Sequence, residues 1–327
     1  MTRLGIAGAG AWGTALANVA ASAGLAVRLW ARDPAQAAEL AETRLNPRAL
    51  SGIPLHSGIQ PTAELGDLAE SEAVLLVTPA QSTRAMAIAL AGVMRPGAPL
   101  ILCAKGLERG TRLPLSDVAA DVRPGEPVAV LSGPSFAADV AGGLPTAVTL
   151  ACTSPGIAEH WAGALSGPAF RVYHGDDVRG VEFGGAAKNV LAIGCGAVIG
   201  RGLGESARAA LVARGFAEIL RLAVACGGRR ETLMGLSGLG DLVLTCTSPQ
   251  SRNFAFGERL GRGVPVEEAA AGRLTEGATT AAVLVELARE RNVEMPVAAA
   301  VDAVIAGRLG LDEAIDRLMQ RPLKREY

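Results

Sequence analysis

Over the first 180 residues, short runs of consecutive apolar positions alternate with longer alanine-rich stretches, and the two periods predict strands and helices in turn. Strands are expected at residues 4–7, 26–30, 73–78, 100–103, 128–131, 147–151 and 170–173. Most are apolar throughout, without polar alternation, as in a parallel sheet covered on both faces. Strand–helix–strand units in series predict a doubly wound α/β sheet. From Val181 onward the strand signal largely vanishes, and long Ala/Leu helices are expected at residues 181–199, 206–226, 279–291 and 297–306. This change of period predicts two domains, 1–180 and 181–327.

Composition narrows the class. Of 327 residues half are apolar, and 31 Lys+Arg against 32 Asp+Glu leave a net charge of -1, so no overall charge draws the chain to nucleic acid or anionic lipid. Aromatics at 3% leave few stacking platforms for bases and predict an aliphatic core. Five cysteines without a C-x-x-C pair suggest neither a disulfide framework nor a zinc knuckle. His56, His160 and His174 are equally scattered, so no metal is expected. The N-terminus lacks the long apolar stretch of a signal peptide, and the cytoplasm is the expected compartment. The apolar run 190–199 lies between Lys188 and Arg201, short of the ~20 residues that span a bilayer, and reads as a buried helix, with no membrane insertion.

Gly8-Ala9-Gly10-Ala11-Trp12-Gly13 follows the first expected strand and opens a helix. This is G-x-G-x-x-G in the context that gives it meaning: Gly8 for the tight turn, Gly10 for approach of a pyrophosphate, Gly13 for helix–strand packing. It predicts dinucleotide binding on a Rossmann-type domain. At the end of the second strand, where an acidic residue would take a ribose 2′-hydroxyl, stands Arg32. A guanidinium suits a 2′-phosphate and favours NADPH, although the adjacent Asp33 keeps NADH open.

Lys105 and the segment Leu131-Ser132-Gly133-Pro134-Ser135-Phe136 each follow a strand at the carboxyl end, where open sheets bind ligands; a surface lysine and a plain turn are the competing readings. Lys188 has Gly184, Gly185, Leu191 and Ala192 three and four positions away, and no carboxylate at helical pairing distance. A lysine so placed is either a surface side chain or a desolvated amine of lowered pKa able to exchange a proton with an alcohol or carbonyl oxygen. Gly235-Leu236-Ser237-Gly238-Leu239-Gly240-Asp241 is a glycine-rich loop. Ser251-Arg252-Asn253 precedes an expected helix, as a phosphate receptor or a simple N-cap would.

Taken in order, these segments resemble the bacterial NAD(P)-dependent glycerol-3-phosphate dehydrogenase family, together with Ala104-Lys105-Gly106-Leu107-Glu108, Lys188-Asn189-Val190-Leu191-Ala192-Ile193 and Glu276-Gly277. The resemblance implies a Rossmann-type half followed by an all-helical half. It also implies reduction of dihydroxyacetone phosphate to sn-glycerol 3-phosphate with NAD(P)H for glycerophospholipid synthesis. By matching motif, it implies Lys188 as proton donor and acceptor, and Lys105, Gly133, Ser135, Asp241, Ser251, Arg252 and Asn253 around the substrate. For the cofactor it adds to Gly8, Gly10 and Gly13 the positions Ala11, Trp12, Arg32, Lys105, Ala137, Arg252, Leu274 and Glu276. The chain departs from the family pattern at Asp139, Ser206 and Ala49-Leu50-Ser51-Gly52. The substrate is a small molecule, and the helical half is expected to form a homodimer. Two rivals are a ketopantoate-type reductase, which would take carboxylates, and a non-catalytic redox sensor, which would not require Lys188, Asp241 and the Ser-Arg-Asn segment.

Overall fold

The computed structural model describes residues 1–272 and 275–322. Its strands are β1 (Arg3–Ala7), β2 (Ala26–Trp30), β3 (Leu45–Asn46), β4 (Leu50–Pro54), β5 (Ile59–Thr62), β6 (Ala73–Leu76), β7 (Leu100–Leu102), β8 (Val128–Ser132), β9 (Thr146–Cys152) and β10 (Phe170–Gly175). Eight of them form one sheet in the order β10-β9-β8-β7-β6-β1-β2-β5, and β3 pairs with β4 in a separate antiparallel hairpin. The chain winds outward from β1 to β5, then returns and continues from β6 on the other side. The strand order therefore reverses between β1 and β6, the switch point outside which α/β sheets bind ligands. Ala7 lies level with Trp30 on one side and Leu76 on the other, so the glycine turn leaves the sheet at this point.

The expected strands form, with two differences. Within the eight-stranded sheet all pairings are parallel except β8 with β9. Between these two the only helix is the five-residue Ala137–Ala141, which packs on the helix Ala11–Ser22 instead of crossing the sheet. The chain therefore re-enters from the end it left, which an antiparallel pair allows and a parallel one does not. The sequence reading also omits the β3–β4 hairpin and β5, the latter an edge strand containing Gln60 and Pro61, where a missing amide costs no ladder bond.

Alanine replaces bulk in the core. On the helix Ala11–Ser22, Ala15, Leu16, Ala17 and Ala20 are fully buried, which seats the helix close on the sheet. The helix Val178–Gly200 is buried continuously from Gly180 to Val198. It is long and apolar enough to cross a membrane, but 89% of its most apolar window is enclosed by the protein. It begins three residues before the expected Val181 because the Asp177 carboxylate caps it, accepting from the Gly180 amide at 2.8 Å.

The helix Arg252–Gly261 crosses it backbone to backbone. A Cβ at Gly196 would stand 2.0 Å from the Phe254 carbonyl oxygen, and one at Gly257 1.9 Å from that of Ile193. Gly200 and Gly261, each four residues further on, meet Glu258 and Ala197 in the same way. Two small-x-x-x-small faces thus interlock, and this contact fixes the Ser251-Arg252-Asn253 segment relative to Lys188.

Candidate active site

The cofactor end is built by β1 and the turn after it. Gly8 has φ +126°, and a Cβ there would lie 2.7 Å from the Val77 carbonyl oxygen; at Gly13 it would lie 1.8 Å from that of Gly8. Nothing lies within 4 Å of the position a Cβ would take at Gly10. Two glycines are therefore demanded by packing, and the middle one leaves open the space a pyrophosphate needs. The helix from Ala11 has no side-chain cap, so its first amides face that space unpaired by a side chain. These residues fit a dinucleotide. Trp12 and Ala11 are partly buried at the helix start, Ala137 begins the short helix packed on it, and Arg32 is exposed beyond β2. Leu274 lies outside the described residues.

A second cluster gathers polar residues far apart in sequence. On the helix Val178–Gly200, Gly184 would meet the Ser237 carbonyl at 2.6 Å if it carried a Cβ, and Gly185 would meet Ser132 Oγ at 2.7 Å and the Lys105 chain at 3.3 Å. The two glycines let the helix slide between the 235–240 loop and the ends of β7 and β8. Lys188, one turn on, thereby reaches Asp241. Its Nζ donates to Asp241 Oδ1 and, at 2.8 Å, to Thr245 Oγ1. Lys105 Nζ donates to the other carboxylate oxygen at 2.7 Å and to the Gly133 carbonyl at 3.2 Å. Ser135 Oγ also donates to that carbonyl, at 3.1 Å.

Asp241 is 1% exposed and Lys188 6%, so the two are paired out of water, with the partly buried Lys105 on the other carboxylate oxygen. Burial pushes the Lys188 amine down to about 8; Asp241 opposes this and the Lys105 charge adds to it. The desolvation expected from the neighbours of Lys188 is present. No carboxylate stands at helical pairing distance, and the partner, Asp241, arrives from 53 positions away. Thr245, which has no place in the sequence reading, sits one turn after Asp241 on the same helix, a spacing that a search for pairs four residues apart would find.

The start of the helix Arg252–Gly261 completes the crevice. Ser251 is its N-cap, accepting from the Phe254 amide at 3.3 Å. Asn253 Oδ1 accepts from the Gly277 amide at 3.0 Å, and a Cβ on Gly277 would come within 2.5 Å of the Asn189 carbonyl. The residues following Lys188, Arg252 and Glu276 are thus in mutual contact. Burial raises the Glu276 carboxyl, while the charges of Arg252, Lys105 and Lys188 hold it down, which places Glu276 within the field of all three cations. Arg252 itself is exposed.

Residues 3–158 match the family model described as NAD-dependent glycerol-3-phosphate dehydrogenase N-terminus, and residues 177–316 match the corresponding C-terminus model. The chain belongs to the NAD-dependent glycerol-3-phosphate dehydrogenase family. The glycerol-3-phosphate dehydrogenase [NAD(P)+] of Methylobacterium radiotolerans is 61% identical over 326 residues, 99% of this chain and 98% of that protein. That of Azorhizobium caulinodans is 59% identical with the same coverages. The crystal structure of glycerol-3-phosphate dehydrogenase from Coxiella burnetii superposes with a TM-score of 0.93 at 39% identity, over 98% of this chain and 99% of that one. A ketopantoate reductase from Ralstonia eutropha reaches 0.59 at 17% identity, a likeness of fold only.

Proposed function

We propose that this member of the family reduces dihydroxyacetone phosphate to sn-glycerol 3-phosphate, with NADPH preferred to NADH, and so supplies the backbone of glycerophospholipids. Residues 1–180 would hold the dinucleotide and residues 181–327 would bring the catalytic lysine. The observation that carries the reading is a buried lysine of lowered pKa, paired with Asp241 beside a helix start bearing Ser251, Arg252 and Asn253.

When bound, the reduced nicotinamide supplies a hydride to the carbonyl carbon. Lys188 Nζ, as an ammonium, gives its proton to the carbonyl oxygen as negative charge develops there, and as a free amine takes it back in the reverse reaction. Asp241 and Thr245 hold Nζ in place, and Lys105 adds a second positive charge beside the oxygen. Asn253 has its oxygen engaged by Gly277, so its amide nitrogen is the group available to a phosphate. With the Arg252 fork and the amides of the helix start, it would anchor the monoester away from the reacting carbon and orient the ketone. The chain would form a homodimer through the helical half, to be tested by sedimentation of the full chain.

Steady-state rates with dihydroxyacetone phosphate and with a phosphate-free ketoacid, each with both cofactors, test the proposal. The expected result is a kcat/KM at least ~1000-fold higher for the phosphorylated ketone, since a site built for a polar group rejects substrates lacking it. Comparable rates with ketopantoate would favour the carboxylate reductase instead. No oxidation of NADPH by either ketone would favour the non-catalytic sensor.

A further inference from the structure

Asp33 stands one residue beyond Arg32 past the end of β2, where a carboxylate in a dinucleotide fold would accept the ribose 2′-hydroxyl. Both of its oxygens are engaged. One caps the helix Pro34–Thr43, accepting from the Ala35 amide at 3.0 Å, and the other takes Arg48 Nη1 at 2.5 Å. The Arg48 Nε is held in turn by Glu39 at 3.2 Å. The pairing with Arg48 is the main reason the Asp33 carboxyl lies below the usual carboxylate range.

The segment carrying Arg48 is not a loose loop. Asn46 is fully buried, donates to the Ala9 carbonyl at 3.0 Å and to Thr14 Oγ1 at 2.8 Å, and closes a turn by accepting from the Ala49 amide at 3.2 Å. Gln36 Nε2 donates to the same Ala9 carbonyl at 2.9 Å. Arg48 is thus hung directly from the glycine turn that takes the pyrophosphate, and its reach to Asp33 is set by that anchor.

We propose that Arg48 fixes cofactor choice by pairing with Asp33, competing with a 2′-hydroxyl for its carboxylate and neutralising the charge that would oppose a 2′-phosphate at the Arg32 guanidinium. Arg48 is a positioning residue, acting through Asp33. The inference rests on residues 1–180 binding a dinucleotide.

Calorimetric Kd values for NADPH, NADH and 2′,5′-ADP, measured on the full chain, test it in the wild type, in Arg48→Ala and in Asp33→Asn/Arg48→Ala. In the single variant an unpaired carboxylate faces the 2′-phosphate. NADPH and 2′,5′-ADP are expected to weaken about tenfold, the effect of one partly screened like charge, while NADH is expected to tighten about threefold as the freed carboxylate accepts its 2′-hydroxyl. The double variant, having no carboxylate, is expected to regain most of the lost affinity for 2′,5′-ADP. Equal weakening of NADPH and NADH, unchanged NADPH binding, or no recovery in the double variant would each overturn the role of Arg48. A wild-type chain that binds none of the three would overturn the dinucleotide reading as well.

Discussion

Asp241→Asn isolates the charge that holds Lys188, the proposed proton donor. Asp241 is almost inaccessible and bridges Lys188 and Lys105, the latter at 2.7 Å. Two unit charges about 3 Å apart, as in a hydrogen-bonded pair such as Lys188 with Asp241, attract by about 6 kcal/mol at an effective dielectric constant of 20, an upper figure that relaxation and water entry reduce to roughly 3 kcal/mol. An asparagine keeps the shape and loses the attraction, while burial and the Lys105 charge still disfavour the ammonium of Lys188. At about 1.4 kcal/mol per pKa unit, the Lys188 amine falls by about two units from its value near 8. Its protonated fraction at pH 7 drops to the order of a tenth, and misplacement of Nζ adds to the loss. The expected outcome is a kcat for ketone reduction ~100-fold lower at pH 7, recovering as the pH is lowered toward 6, with Kd for NADPH within threefold of wild type. The assay is a pH profile of kcat between 5.5 and 9.5 beside a fluorescence titration with NADPH, circular dichroism showing that the variant is folded. A profile with the wild-type midpoint would refute the assignment of Asp241 as the charge that keeps Lys188 protonated.

Three further outcomes follow from the geometry. Gly13→Ala places a Cβ 1.8 Å from the Gly8 carbonyl oxygen, so it is expected to lower the thermal midpoint and abolish dinucleotide binding, read by calorimetry; a Kd near wild type would contradict the packing argument. Arg252→Ala removes the fork from the helix start and is expected to raise KM for dihydroxyacetone phosphate about 100-fold, with a smaller fall in kcat. Burial raises the Glu218 carboxyl to about 7, although the Val297 and Ala298 amides oppose the shift. A carboxyl raised on folding binds more protons in the native state, so its contribution to stability is greatest below about pH 4.5 and is lost as the pH rises through 7. Glu218→Gln is expected to flatten that slope in chemical denaturation at pH 5 and pH 8.

The parts of this molecule legible in its sequence are those where local pattern and tertiary demand coincide. The buried strands are apolar runs because both faces of the sheet are covered, and Gly8 and Gly13 are fixed by contacts with residues close to them in sequence or in the neighbouring strand. Edge strand β5 escapes because Gln60 and Pro61 break the apolar pattern that burial imposes elsewhere. The reversal of β9 is invisible because strand direction depends on where the short helix Ala137–Ala141 docks. At the site, the neighbours of Lys188 reveal its burial but not its partner, since Asp241 and Thr245 come from another helix. The Asp33–Arg48 pair, 15 positions apart across a helix and a turn, has no periodic signal at all. The glycines at 196, 200, 257 and 261 are spaced plainly in the sequence, yet only the crossing shows that they face one another.

The central claim is that one desolvated amine exchanges the proton of the reaction. The most direct measurement is kcat for Lys188→Ala in both directions, with NADPH affinity determined on the same preparation. Turnover should fall by at least ~1000-fold in each direction while the Kd for NADPH stays within about threefold. A variant that binds the cofactor normally and retains a tenth or more of wild-type turnover would contradict it.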